Sequence, residues 1–301
     1  MTRSIPTHEF ALYSLPVPDG NCYPPFSAAL YSRYKYGSLT ATETFARALS
    51  AALDDRHPDL VRVPRLVMTS SPYSHVPTAA TTLARELRPV LNAARARYGL
   101  APVPLVHVYR ASTSAGDYGT LAAGARDQRM TANVLSFRRF PLAEVRDAHL
   151  LVVDDVRVTG AHQRNLTHAS DELPLAARTF LYIASFASPA NGYFDPTQED
   201  ALNHASIRTL DDLARIVEDD DFAGNVRVCK FALNPANRPD LPKFLARMPD
   251  RFVRDLHRGS QRDGYARMDL YAPSHAIVGA ELERRRGRLT SDSLSSRRQP
   301  V

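Results

Sequence analysis

Residues 150–162 read LLVVDDVRVTGAH, and no other stretch of the chain narrows the possible folds so far. Four consecutive apolar residues suit a strand covered on both faces, the kind found in parallel sheets packed by helices. Asp154 and Asp155 follow the strand, and the Thr159-Gly160-Ala161 turn then opens a helix. The first N–H groups of a helix lack intrahelical partners and point outward, so they suit an anion such as a phosphate. Gly160 lets the backbone approach that anion closely, and Thr159 can add a hydroxyl donor. The two carboxylates cannot serve the same anion, because like charges repel. They suit sugar hydroxyls or a hydrated Mg²⁺. A phosphate cradle at one end and two carboxylates at the other describe a site for ribose 5-phosphate. An apolar strand ending in two aspartates is common by itself, in metal-binding turns and at solvated strand ends. The Thr-Gly turn at this offset, with a helix behind it, is what gives the pattern its meaning.

The flanking sequence supports an α/β architecture. A helix is expected over 40–53, where Thr40 and Glu43 have capping-box spacing and Phe45, Leu49 and Leu53 share a face. A strand over 63–68 leads through the loop TSSPYSH to a helix opened by Pro77, with Ala80, Leu83, Leu87 and Leu91 as its buried stripe. Pro89 should kink or divide that helix, and Gly99 should end it. Further strands are expected at 105–109, 133–137, 149–153 and 179–186, with a glycine-containing polar segment over 110–129 that reads as mobile. Strands alternating with helices imply a mostly parallel sheet with ligands at its carboxyl edge. Residues 190–283 read as helical: Thr209 can cap a helix through Asp212, and LPKFLARM and RFVRDLHR suggest two more. We therefore divide the chain into an N-terminal segment and helix (1–59), a sheet domain (60–187), a helical C-terminal extension (188–283) and a basic tail (284–301).

The 301 residues are 44% hydrophobic, enough for a substantial core, and carry a net charge of +6. Much of the excess lies in the tail, where Arg284, Arg285, Arg286, Arg288, Arg297 and Arg298 sit among serines without apolar periodicity. A disordered, solvated end is preferred there to an RNA-binding arm, and no aromatic-rich RNA-binding signature accompanies the charge, so nucleic acid is not an expected partner. Cys22 and Cys229 stand alone, indicating neither a disulfide framework nor a zinc site and suiting a reducing compartment. No signal-like leader and no run of about 18 apolar residues is present, so a cytoplasmic protein without membrane contact is expected. A homodimer remains open.

VVDDVRVTGAH resembles the motif by which type I phosphoribosyltransferases bind 5-phosphoribosyl 1-pyrophosphate (PRPP). TSSPYSHVPTAATTLARELRPVL resembles their strand, pyrophosphate loop and helix. RDQRMTANVLSF resembles the segment before the motif in the subgroup similar to the competence-associated ComF proteins, so the likeness covers residues 60–187. The whole chain is also similar to ComF-like phosphoribosyltransferases of bacterial tellurium-resistance and stress gene clusters. The resemblance implies a type I phosphoribosyltransferase fold and Mg²⁺-dependent transfer of phosphoribose from PRPP to a small acceptor, with pyrophosphate released. It implies that Asp154 and Asp155 hold the ribose hydroxyls and, through water, Mg²⁺. Val158, Thr159, Gly160, Ala161 and His162 would cradle the 5′-phosphate. Ser70, Ser71, Tyr73, Ser74 and His75 would lie near the pyrophosphate, with Arg110, Arg126 and Arg129 supplying charge from a segment that closes over the site. Arg126 and Arg129 join the two aspartates as the expected catalytic set.

Two positions depart from the family pattern. Val158 stands where a threonine or aspartate is usual, and His162 where a serine or threonine is usual. The histidine either reaches the phosphate through a ring N–H or is turned away. The bland readings are a structural or exposed role for His75 and solvated surface charges for the arginines. The alternative function is a non-catalytic sensor of PRPP or a nucleotide on the same fold. The acceptor is not legible, because the hood that selects it, drawn from residues 10–40, from 190–283 or from both, follows no sequence code.

Overall fold

The computed structural model describes residues 4–15, 25–110, 135–136, 142–186, 197–218 and 221–295. In chain order the elements are β1 (Thr7–Leu15), α1 (Ala28–Lys35), α2 (Leu39–Arg56), α3 (Pro58–Val61), β2 (Leu66–Ser70), α4 (Ala79–Ala96), β3 (Tyr109–Arg110) and β4 (Leu135–Ser136). They continue with α5 (Leu142–Val145), β5 (His149–Arg157), α6 (Ala161–Ser170), β6 (Ala177–Phe186), α7 (Thr197–Asn203), α8 (Leu210–Glu218) and α9 (Val226–Ala232). The last helices are α10 (Leu241–Arg247), α11 (Asp250–Arg262) and α12 (Ala272–Ser295).

The main sheet has the order β1-β6-β5-β2, with every pair parallel. Side-chain alternation divides its core. Leu151, Val153, Leu181 and Ile183 pack on one side with α1, α2 and α4. Leu150, Val152, Phe180 and Tyr182 pack on the other with Val108, Val145 and Leu166. Both faces are covered, which explains why β5 reads as a continuous apolar run. This is the α/β arrangement of a mostly parallel sheet flanked by helices.

Several local expectations shift. The strand Thr7–Leu15 is absent from the sequence reading, yet it pairs with β6 from Thr7 opposite Arg178 to Leu15 opposite Phe186. Its alternation is muted because three of its first residues are exposed, so only tertiary pairing marks it as a strand. Buried Arg178 fastens it, donating to Thr7 Oγ1 (2.8 Å), the Thr167 carbonyl (2.9 Å) and Ser170 Oγ (2.8 Å). The sheet thus recruits residues placed in the segment before it. Helix α2 is capped by Ser38, whose Oγ accepts from Ala41 N–H, while Thr40 bonds Asp221. Helix α4 runs unbroken through Pro89, because that position is exposed and the carbonyl left without a donor can face water. The strand expected at 105–109 contracts to a bridge between Leu105 and Met68, followed by β3, which pairs antiparallel with β4. β5 runs four residues past Val153 and so carries both aspartates within the strand.

The C-terminal helices build their own core around Leu213, Ile216, Leu245, Val253 and Val278. Helix α8 has the expected cap: Thr209 Oγ1 accepts from Asp212 N–H (3.1 Å) and Asp212 Oδ2 from Thr209 N–H (3.0 Å). Tyr36 and Val76, from the sheet half of the chain, are buried in the same core. Gly37, at φ 93°, lies against the carbonyl of Ala223, where any side chain would collide. The tail expected to be disordered from 284 onward is helical to Ser295. Arg285 explains this: it donates to the carbonyls of Leu245 (2.6 Å) and Met248 (2.9 Å) at the end of α10 and pairs with Asp250 (2.5 Å). Residues 296–301 lie outside the described residues. Among those described, no helix is long and apolar enough to cross a membrane.

Candidate active site

Because β5 continues to Arg157, its adjacent aspartates leave the strand on opposite faces. Asp154 is buried at 7% exposure. Its Oδ1 accepts from Ser71 Oγ (2.6 Å) and Asp155 N–H (3.0 Å), and its Oδ2 meets His162 Nδ1 at 2.7 Å. Burial alone would raise its pKa, but the neighbouring His162 and these bonds outweigh it and hold the carboxyl below its ordinary range. An ionised Asp154 requires the proton on His162 Nδ1. The other ring nitrogen, Nε2, is buried and has no hydrogen-bond partner among the described residues. A buried polar atom without a partner is costly, which marks a place made for a ligand or a water. The histidine is therefore held by Asp154, and the residue is part of the cleft lining.

Asp155 takes the other face. Its Oδ2 is ion-paired with Lys35 from the end of α1, and its Oδ1 accepts from Val156 N–H (2.7 Å). The two side chains are only 9% and 15% exposed. Behind them lie the rings of Tyr31 and Tyr34, whose wholly buried hydroxyls have no hydrogen-bond partner among the described residues. Burial, and then the nearby Asp155, raise both phenol pKa values, so both remain neutral.

The turn after β5 has the geometry of an anion cradle. Gly160 is the N-cap of α6 in the left-handed conformation, φ 69° and ψ 5°. Thr159 Oγ1 accepts from Ala161 N–H (3.3 Å), which leaves its own proton to donate, and Arg164 holds the Thr159 carbonyl (2.9 Å). Val158 is buried in the sheet core, so it can meet a ligand only through its backbone.

One cleft of about 240 Å³ joins these parts. Residues 154–163 form its floor together with Tyr182. Of the residues expected near a pyrophosphate, Ser71 and Arg110 line the cleft, beside Thr78 and Ala79. The others turn elsewhere. Ser70 donates to Thr81 Oγ1 (3.0 Å), and Ser74 Oγ donates to the Arg110 carbonyl (2.7 Å). Tyr73 stacks on His107, and His75 leans on Asp263 through both Nδ1 (3.2 Å) and its backbone N–H (3.0 Å). Arg126 and Arg129 lie outside the described residues.

The far wall comes from residues not individually named from the sequence: Lys35 of α1, Glu199 of α7, and Val226, Arg227 and Lys230 of α9. Both stretches named as sources of a hood, 10–40 and 190–283, thus contribute to the cleft. Arg157 also lines it, braced by Glu9 (3.3 Å) and Ser185 (3.3 Å). Among the described residues five cationic and three acidic side chains line the cleft, a balance suited to a polyanion. Nothing in the sequence separated these cations from the other Lys and Arg residues of a chain that has 38. The aromatic cluster YSRYKYG around Lys35 was the one available hint.

A protein-family model described as PRTase ComF-like matches residues 7–277, spanning the sheet, the cleft and most of the C-terminal helices. No curated protein matches the chain.

Proposed function

The chain belongs to the family of ComF-like phosphoribosyltransferases, and from that premise we propose that it transfers phosphoribose from PRPP to a small-molecule acceptor with release of pyrophosphate. The observation that carries this reading is the convergence, on one cleft, of the Gly160 helix start, the Asp155 carboxylate and the Asp154–His162 pair.

In the proposed complex the 5′-phosphate rests on the N–H groups opening α6, with Thr159 as an added donor. Asp155 accepts from a ribose hydroxyl with the lone pairs that Lys35 and Val156 leave open. Asp154 works through His162, holding the ring in place at the cleft beside the sugar phosphate. The transfer passes through an oxocarbenium-like state, so the protein contributes by holding the sugar, balancing the charge of the leaving pyrophosphate and excluding water. No covalent nucleophile is required. Among the described residues, no group of three or more His, Cys, Asp and Glu side chains is placed to hold a metal ion. Mg²⁺ would therefore be carried mainly by the oxygens of PRPP, with Asp155 reaching it through water, and its chemistry would be to neutralise pyrophosphate charge.

A PRPP sensor is the second reading, favoured by buried Val158, which places neither a side-chain donor nor a base at a position where the resembled motif often has a threonine or aspartate. Calorimetry with PRPP and Mg²⁺, followed by pyrophosphate release across purines, pyrimidines and extract metabolites, separates the two. Binding with acceptor-dependent release is the expected result. Binding without release from any acceptor would leave the sensor, and absence of PRPP binding would sink both.

A further inference from the structure

The proposed reaction must balance the charge of a leaving pyrophosphate, and of the cations expected near it only Arg110, on β3, lines the cleft among the described residues, beside the hydroxyls of Ser71 and Thr78 from the β2–α4 loop. Helix α9 lies across from that loop. Arg227 and Lys230 are three residues apart on it, hence on one face, and both line the cleft while half-buried.

Their helix is fixed to the loop and to α1 by buried bonds. Val226 N–H donates to the carbonyl of Pro77 (2.9 Å), tying the start of α9 to the loop. Asn225, 1% exposed, caps the helix by accepting from Val228 N–H (3.1 Å), while its Nδ2 donates to the Lys35 carbonyl (3.1 Å). Ala223 N–H donates to the Gly37 carbonyl (2.9 Å). The backbone that carries these two half-buried cations is therefore fixed at the cleft, unlike a solvated surface charge on a loose segment.

We infer that Arg227 and Lys230 are pyrophosphate-binding residues, supplied to the site by the C-terminal helical region. The inference rests on the transferase reading. It favours pyrophosphate over an anionic acceptor because α9 is bonded to the loop bearing Ser71 and Thr78, whereas the 5′-phosphate turn at 158–162 follows a different strand, β5. On this view the C-terminal helices are part of the active site, and the chain cannot be cut after β6 without losing half of a substrate subsite.

Titration calorimetry on the full chain, with inorganic pyrophosphate and ribose 5-phosphate as separate probes, tests it. Arg227→Gln with Lys230→Gln should weaken pyrophosphate binding by about 10-fold or more, while ribose 5-phosphate affinity stays within about 2-fold. The charge-keeping pair Arg227→Lys with Lys230→Arg should retain pyrophosphate binding within about 3-fold. If the glutamine pair does not melt cooperatively, Lys230→Gln alone serves, with an expected loss of about 3-fold or more. Unchanged pyrophosphate affinity, or equal losses for both probes, would overturn the inference. So would a wild-type protein that binds ribose 5-phosphate but not pyrophosphate, and that result would leave the sugar site of the transferase reading standing. Wild-type protein binding neither probe would bring down the transferase reading itself.

Discussion

The ion pair between Lys35 and Asp155 offers the sharpest energetic test, because it joins residues 120 positions apart and both of its members line the cleft. With side chains only 9% and 15% exposed, neither charge can be rehydrated fully when its partner is removed. Deleting one member of a buried pair costs about 3–5 kcal/mol. The cleft admits some water, so about 3 kcal/mol for Lys35→Met and about 2 kcal/mol for Asp155→Asn are the expected losses. The double variant leaves no stranded charge and should lose about 2 kcal/mol, where simple addition would give about 5 kcal/mol. At about 2 °C per kcal/mol for a chain of this size, Lys35→Met should lower Tm by about 6 °C. Urea unfolding of the four proteins, followed by circular dichroism, measures the cycle. Additive losses would show that the pair does not form in the folded protein and would remove Lys35 from the site.

Gly160→Val places a β-branched residue at φ 69° and fills the phosphate approach, so ribose 5-phosphate binding should vanish in calorimetry while Tm falls by only a few degrees. Retained affinity would place the phosphate elsewhere. His149, at the start of β5, donates to or accepts from Thr179 Oγ1 (2.8 Å), and burial, then neighbouring His8, lower its pKa to about 4. Since the folded state binds the proton less readily, its contribution is complete above about pH 6.5 and is lost as pH falls toward 4. Discounted for partial exposure, the loss is about 1–2 kcal/mol, and urea melts at pH 7.5 and 4.5 should show His149→Gln less acid-sensitive than wild type. An equal acid loss in both proteins would refute this. Gly37→Ala should cost at least about 2 kcal/mol in the same melts, because the new methyl meets the Ala223 backbone at a positive φ; an unchanged midpoint would mean that the junction between α1 and the C-terminal helices is loose.

The parts legible from sequence are those whose cause is local. The apolar run of β5, the turn at Gly160 and the start of α6 are contiguous, and each residue acts on its near neighbours. The α4 stripe of Ala80, Leu83, Leu87 and Leu91 follows from helical periodicity and is buried throughout. Thr209 and Asp212 needed only three residues of spacing to declare a cap. Tertiary structure decided the rest, through contacts that no window along the chain contains. β1 became a strand because β6 had an open edge, and the two aspartates parted because β5 ran on past them. Ser71 and His162 met on Asp154 across two elements, leaving His162 Nε2 buried without a hydrogen-bond partner among the described residues. Lys35 reached Asp155 from 120 residues away, and Asn225 reached the Lys35 carbonyl from 190. Hydrophobic periodicity tells a residue which side of its own element to bury, but not which element will cover it. The walls of the cleft, and with them Arg227 and Lys230, were fixed only when the C-terminal helices packed against the loop after β2.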